Sequence, residues 1–369
     1  MKILYGVNGE GRGHATRSQV VIDELLNRHD VRVAASGAAF AYLRDRLPSV
    51  DEVFGPSFAL DHGEIRRWAT VRQNFRNAGR DLPDSVRHWI GGVREWHPDV
   101  VVTDFEPLTG VFARVTRTPM IAVDNIHMVD RCKHDDEIVA GAKADYEIAR
   151  AVVGAMVPGA VEYLVTTFFA APLAYLGTTL VPPILRSEVI AVEAERGDHL
   201  VVYSSGDPRL IEALRTSGMR CLVYGMRGGD EEPETDGALE FRKPSVDGFL
   251  EDLRTARGVV TGGGFSLLSE AVYLGKPVLS VPLRGQFEQL MNARYLQRNH
   301  YGTCALEPTP GAMREFIDGL EDFEQALAGY EQKGNEVALA TIEDRATRAA
   351  GADRREQASA RRTARRIVT

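Results

Sequence analysis

The sequence predicts an α/β protein of two facing Rossmann-like domains with parallel sheets and a cleft between them. Three observations carry this. A strand, a glycine loop and a helix open the chain, and the same order of elements restarts near residue 200. The strand segments are short apolar or β-branched runs of the kind that parallel sheets bury on both faces. A Pro182-Pro183 pair divides the two halves and marks a linker near residues 182 to 198. At 369 residues the chain is long for one domain and comfortable for two, each able to bury its own core.

Composition narrows the function classes. Hydrophobic residues at 44% and charged residues at 26% describe a globular protein. With 44 basic against 52 acidic residues the net charge is −8, which argues against a nucleic-acid partner. Cys132, Cys221 and Cys304 match neither a metal spacing nor a disulfide framework and read as reduced thiols of a cytoplasmic protein. The first residues run straight into a glycine loop, as a first strand does and a signal peptide does not. The most apolar region, Ala151 to Leu185, is interrupted by Pro158, Glu162, Pro172 and the Pro182-Pro183 pair, so no membrane span is expected.

Taken in order, residues 2 to 7 are expected as a buried strand. The loop Gly9-Glu10-Gly11-Arg12-Gly13-His14 follows, then a helix from Thr16 to Asn27 with Val20, Val21, Leu25 and Leu26 on its apolar face. The loop approaches a dinucleotide fingerprint, but its third glycine comes one residue early. The next strand, Val31 to Ala35, ends in Ser36-Gly37 with no acid for a ribose, so NAD is not expected. His14 stands at a helix start beside glycines, exposed, with its neutral form favoured by the helix dipole.

Residues 55 to 95 read as two helices, with Ile65, Trp68, Val71 and Phe75 at helical spacing as a packing stripe. The strand Asp99 to Val102 leads to Asp104, at the carboxyl end of a parallel strand, where such sheets hold ligands. Met120 to Val123 is a further strand, with Asp124, Asn125 and His127 expected to line the same cleft. The run His134-Asp135-Asp136-Glu137 reads as acids opening a helix rather than as a metal site. Glu162 to Phe169 and Thr179 to Val181 complete the first half.

The second half begins with a strand, Leu200 to Tyr203, a small-residue loop containing Ser205 and Gly206, and a helix from Arg209 to Thr216. Leu222 to Tyr224 is a strand, and Glu240 to Asp247 leads into a helix from Gly248 to Thr255. The most informative stretch is 258 to 293. Gly258 to Thr261 is a strand, Gly262, Gly263 and Gly264 a loop, and Phe265 to Leu274 a helix stopped by Gly275; the strand Pro277 to Val281 follows. Three glycines bring the backbone close to a ligand, and the helix start beyond them offers unpaired N–H groups and a positive dipole end, which suits a diphosphate. Glu270, just over one turn on, is within reach of two vicinal hydroxyls. Glu288, Gln289 and Asn292 supply groups suited to a hydroxyl-rich ligand. Helices over Pro310 to Leu320 and Phe323 to Ala346 are expected, and residues 351 to 369, with six arginines, read as a solvated or disordered tail whose alternative is attraction to anionic lipid.

The stretch 258 to 293 resembles the donor-binding signature of GT-B glycosyltransferases that use nucleotide sugars. Its Ser269-Glu270 and Glu288-Gln289 pairs resemble the bacterial enzyme that adds GlcNAc to the peptidoglycan lipid intermediate. Glu288-Gln289-x-x-Asn292-Ala293 is similar to the natural-product and plant UDP-glycosyltransferases. The resemblance implies an acceptor domain at 1–185, a donor domain at 186–335, a helix at 336–350 crossing back, and a basic tail at 351–369. It implies that Gly262, Gly263, Gly264, Phe265 and Ser266 hold the diphosphate, Glu270 the ribose, and Glu288, Gln289 and Asn292 the donor sugar. Ser245 and Val246 would meet the nucleobase, with Ser205, Gly206 and Gly13 approaching the donor from the other side. Natural-product enzymes usually carry a His where this chain has Gly262.

In those enzymes the His of the first loop is the base, which assigns that role to His14, oriented by Asp104. The expectation is an inverting transfer from a nucleotide-diphosphate sugar, most simply UDP-linked, to a lipid, glycan, peptide or small-molecule hydroxyl. No cofactor and no metal are expected, since helix-end amides can stabilise the leaving diphosphate. A nonhydrolysing UDP-sugar epimerase and a non-catalytic sugar-nucleotide-binding subunit are the alternatives.

Overall fold

Strand β1 (Lys2–Val7) lies inside a seven-stranded parallel sheet, next to its central strand β4 (Val100–Asp104), with β2 (Asp30–Ala35), β3 (Val50–Glu52), β5 (Met120–Asp124), β6 (Glu162–Thr166) and β7 (Thr178–Val181). The spatial order is β3-β2-β1-β4-β5-β6-β7, every pair parallel. The sequence explains the placement: β4 reads Val-Val-Val-Thr-Asp and is buried along its whole length, as a strand covered on both faces must be. The chain winds outward in one direction from β1 and in the other from β4. Their carboxyl ends, in register at Val7 and Asp104, therefore flank a crevice where successive loops diverge.

This computed structural model describes residues 1–53, 84–204, 207–226, 234–243 and 245–367. The stripe Ile65, Trp68, Val71 and Phe75 and the loop residues Ser205 and Gly206 lie outside the described residues.

The second half repeats the plan. Strands β8 (His199–Tyr203), β9 (Arg220–Tyr224), β10 (Glu234–Asp236), β11 (Leu239–Phe241), β12 (Gly258–Thr261), β13 (Val278–Ser280) and β14 (Gly302–Cys304) lie in the order β10-β11-β9-β8-β12-β13-β14. All pairs are parallel except the β10-β11 edge. Its crevice opens between β8 and β12, paired at Tyr203 and Thr261. The glycine loop 262–264 follows directly.

Side chains from both halves seal the base of the cleft. Phe168 stacks on Phe265 with centroids 5.9 Å apart, and Phe169 on Tyr295 at 3.9 Å. The run His134-Asp135-Asp136-Glu137 belongs to this seam. Asp135 caps the helix Asp136–Val139 and meets Arg298 at 2.6 Å, while His134 Nδ1 lies 3.0 Å from the Tyr295 hydroxyl.

Three expectations shift. The first helix is Arg12–Leu26, four residues earlier than expected, because Gly11 takes a positive φ of 75° at its N-cap and lets the helix start inside the glycine loop. His14 thus sits in the first turn. The helix expected over Phe323 to Ala346 is two, Leu320–Leu327 and Glu336–Ile367, parted by a segment holding Gly329 and Gly334. The second of these buries Ala338, Ile342 and Ala346 in one cluster with Ile3, Tyr5, Ile121 and Leu164 of the first half. It continues through 351–367, where a tail was expected. Among the described residues no helix is long and apolar enough to cross a membrane.

Candidate active site

The two crevices face each other across one cavity of about 660 Å³. On the first-half side, the early start of the helix Arg12–Leu26 puts His14 and Arg17, three residues apart, on one helical face above the end of β4. His14 Nδ1 lies 2.7 Å from Asp104 Oδ1, and Arg17 Nη2 lies 2.6 Å from the same oxygen. Arg17 Nε and the Ser18 hydroxyl donate to Asp104 Oδ2 at 3.1 and 2.9 Å. Asp104 is fully buried, Arg17 is 6% exposed and His14 is 16% exposed. The carboxylate thus receives four donors, which satisfies a buried charge that would otherwise be costly.

These contacts set the protonation pattern. Burial opposes ionisation of Asp104, yet the Arg17 guanidinium and the His14 imidazole hold its carboxyl down at about 2. Burial pushes His14 toward its neutral form, but the Asp104 carboxylate outweighs it and leaves the imidazole above its ordinary value. An ionised carboxylate at 2.7 Å fixes the ring proton on Nδ1, so the neutral ring presents its lone pair at Nε2. Both His14 and Glu288 line the cavity. Burial pushes the Glu288 carboxyl up to about 7, against the pull of His14 and Arg17.

Two helix starts converge here. Neither Arg12–Leu26 nor Phe265–Tyr273 has a side-chain cap at its N-terminus. They approach closely enough that a Cβ on Gly13 would stand 2.5 Å from Ser266 Oγ. Gly13, Gly262, Gly264, Phe265 and Ser266 line the cavity. Gly263 does not; its φ of +94° makes the turn behind them. Uncapped N–H groups at two converging dipole ends make an anion-binding surface.

The remaining expected residues divide. Glu270 and Gln289 line the cavity, and Gln289 Oε1 also accepts from the Leu283 N–H at 3.1 Å, bracing the loop after β13. Asn292 is buried away from the cavity, its amide 3.2 Å from Asn125 Oδ1. Ser245 caps the helix Val246–Arg254 through the Gly248 N–H and does not line the cavity. Of the trio after β5, Asn125 lines the cavity, whereas Asp124 and His127 are sealed behind it, paired at 2.7 Å and 1% exposed. The expectation that all three face the cleft is corrected: Phe105 and Tyr163 enclose the imidazole.

Sequence reasoning passed over several residues. Arg17 carried a readable signal, its spacing from His14 on one helix face. Arg186 carried none, because its partner, Glu270, is 84 positions away. The wall opposite the glycine loop comes from Ile126, Val129 and, on the helix Lys143–Met156, Ile148, Ala149, Val152 and Val153. It is apolar.

The model of the family described as "Glycosyl transferase family 1" matches residues 1–320. A protein of Methanosarcina acetivorans named "Uncharacterized glycosyltransferase" is 24% identical over 348 residues, covering 84% of this chain and 87% of its own length. The glycotransferase of kitacinnamycin superposes with a TM-score of 0.67 at 18% identity, covering 93% of this chain and 98% of its own. A Phytolacca americana glycosyltransferase complexed with UDP-2fluoro-glucose and pterostilbene superposes with a TM-score of 0.59 at 15% identity, covering 93% and 99%. With the two facing sheets and the cleft between their switch points, the match over residues 1–320 leads to one conclusion: the chain belongs to glycosyl transferase family 1 and is a glycosyltransferase of GT-B fold.

Proposed function

We propose that the protein is an inverting glycosyltransferase that moves a sugar from a UDP-sugar to a hydroxyl acceptor, with His14 as the general base and no metal ion required. The observation that carries this reading is the His14–Asp104 pair at 2.7 Å, opening onto the same cavity as the glycine loop. His14 Nε2 takes the acceptor hydroxyl proton as the oxygen attacks the anomeric carbon. The bond from that carbon to the diphosphate oxygen breaks on the opposite face, inverting the centre. Asp104 stabilises the imidazolium that forms. The amides around Gly264, Phe265 and Ser266, at an uncapped helix start, receive the charge developing on the leaving diphosphate. Glu270 takes the ribose hydroxyls, and Glu288 with Gln289 takes those of the donor sugar. The apolar wall opposite suits an acceptor with an apolar body.

The test is a calorimetric screen of the purified protein against UDP, GDP, dTDP, their sugar conjugates and NADH, in chelator. Selective binding of UDP and one UDP-sugar, followed by a product whose anomeric configuration is opposite to the donor's, is expected. A retained configuration, or a response to NADH alone, overturns the reading.

A further inference from the structure

Arg186 lines the cavity, and the reaction above gives it no role. It stands where the chain crosses from the first sheet to the second, and its backbone neighbour is clamped. Leu185 N–H donates to Asn335 Oδ1 at 2.8 Å, and Asn335 Nδ2 donates to Leu185 C=O at 2.7 Å, with Asn335 itself buried. Asn335 immediately precedes the helix Glu336–Ile367, so both passages between the two halves are tied at this point. From this fixed base the Arg186 guanidinium reaches Glu270: Nε donates to Oε1 and Nη2 to Oε2, each at 2.8 Å. Both side chains line the cavity.

The geometry of that pair has a consequence for any ligand that Glu270 receives. A carboxylate held by one donor can turn about its last torsion, whereas one held by a planar two-point fork cannot. The fork engages one lone pair on each oxygen and leaves a second pair on each. What remains is a rigid pair of adjacent acceptors, matched to two hydroxyls on neighbouring carbons. A ligand with one hydroxyl fills half of it and leaves the other oxygen desolvated and short of a partner, which is the costly outcome for a charged group.

We propose that Arg186 is a positioning residue that fixes the Glu270 carboxylate for a vicinal diol, and so makes the site select a ribose over a 2′-deoxyribose nucleoside diphosphate. This rests on the reading that Glu270 faces the nucleotide's sugar. Without the fork, Glu270 turns to meet a single hydroxyl, and the penalty for the missing one falls.

The experiment is calorimetric titration of UDP and of 2′-deoxy-UDP into the wild-type protein and into Arg186→Gln, Arg186→Lys, Glu270→Gln and the double variant Arg186→Gln/Glu270→Gln. Loss of one hydrogen bond to a charged group corresponds to roughly 10- to 100-fold in affinity, so the wild type is expected to prefer UDP by about that ratio. In Arg186→Gln the ratio falls to within about threefold as the rotational constraint is lost. Arg186→Lys keeps the charge that the buried carboxylate needs for folding but not the fork, and its ratio falls as well. In the double variant the ratio drops no further than in Glu270→Gln, because the two side chains act as one unit. Retention of the full wild-type ratio in both Arg186 variants overturns the proposal, as does a wild-type protein that binds UDP and 2′-deoxy-UDP equally. A wild-type protein that binds neither removes the donor reading of Glu270, and the proposal with it.

Discussion

His14 Nδ1 and Asp104 Oδ1 lie 2.7 Å apart, 90 residues apart in sequence, because β1 and β4 are neighbours and the sheet reverses its winding between them. The pairing gives His14 one free nitrogen and one direction in which to act. His14→Ala is expected to lower kcat by the ~10²–10⁴-fold typical of a lost general base, with the affinity for UDP unchanged. Steady-state kinetics together with nucleotide titration check both halves. Full turnover in the variant would sink the assignment of His14.

The pH profile should carry the mark of Asp104. The carboxylate raises the His14 pKa above its ordinary value, and only the neutral imidazole accepts a proton. Activity is therefore expected to rise with pH through an acid limb placed above the ~6.5 of a free histidine. Asp104→Asn removes the charge that raises it, so the limb should move to lower pH while kcat falls. An unmoved limb in Asp104→Asn would mean that some other group governs it.

Removing Asp104 altogether tests stability. Arg17 and Asp104 are both buried, with Nη2 2.6 Å from Oδ1. Asp104→Ala leaves the guanidinium without its counter-charge and is expected to cost about 3–5 kcal/mol. Arg17→Met/Asp104→Leu, which removes both charges, is expected to recover most of that loss in urea denaturation. Equal losses in the two variants would show that the charge imbalance is not the cause.

Glu288 gives a prediction of opposite sign to an ordinary carboxylate. Burial raises its folded pKa to about 7, well above the ~4.3 of a free glutamate. The folded state therefore holds its proton longer than the unfolded one. Stability from this group is complete below about pH 4 and is lost as pH rises through about 7. Glu288→Gln removes that dependence, so its melting temperature should gain on the wild type between pH 5 and pH 8.5. A constant gap across this range would count against the buried environment of Glu288.

How much was legible follows from the range of each interaction. The two-sheet architecture and the glycine loop at 262–264 were readable because strand runs and loop glycines are local signals. Asp104 was readable from its place at a strand end. The Arg186–Glu270 pair was not, since no spacing rule links a linker arginine to a helix glutamate 84 positions on. The buried settings of Asn292 and His127 were not legible for a related reason. A polar residue beside a cleft faces it or backs it according to tertiary packing alone, and here the Asn125 amide and the Phe105 and Tyr163 rings claimed them.

The glycine loop separates folding from binding at adjacent positions. Gly263 has a φ of +94°, and a Cβ there would stand 2.8 Å from the Gln289 backbone oxygen, which a helix start holds in place. Gly263→Ala combines left-handed strain with a backbone collision and is expected to cost about 1–3 kcal/mol. Gly264 has an ordinary φ of −62°, and nothing lies within 4 Å of where its Cβ would be. Gly264→Ala should leave the unfolding free energy within about 0.5 kcal/mol of wild type. Its methyl enters the cavity beside the uncapped amides, so UDP affinity should fall although the fold does not suffer. Thermal unfolding and UDP titration on the two variants form the check. Were Gly264→Ala to bind UDP as the wild type does, the diphosphate would not lie against this helix start, and the donor half of the site would have to be sought elsewhere along the cavity.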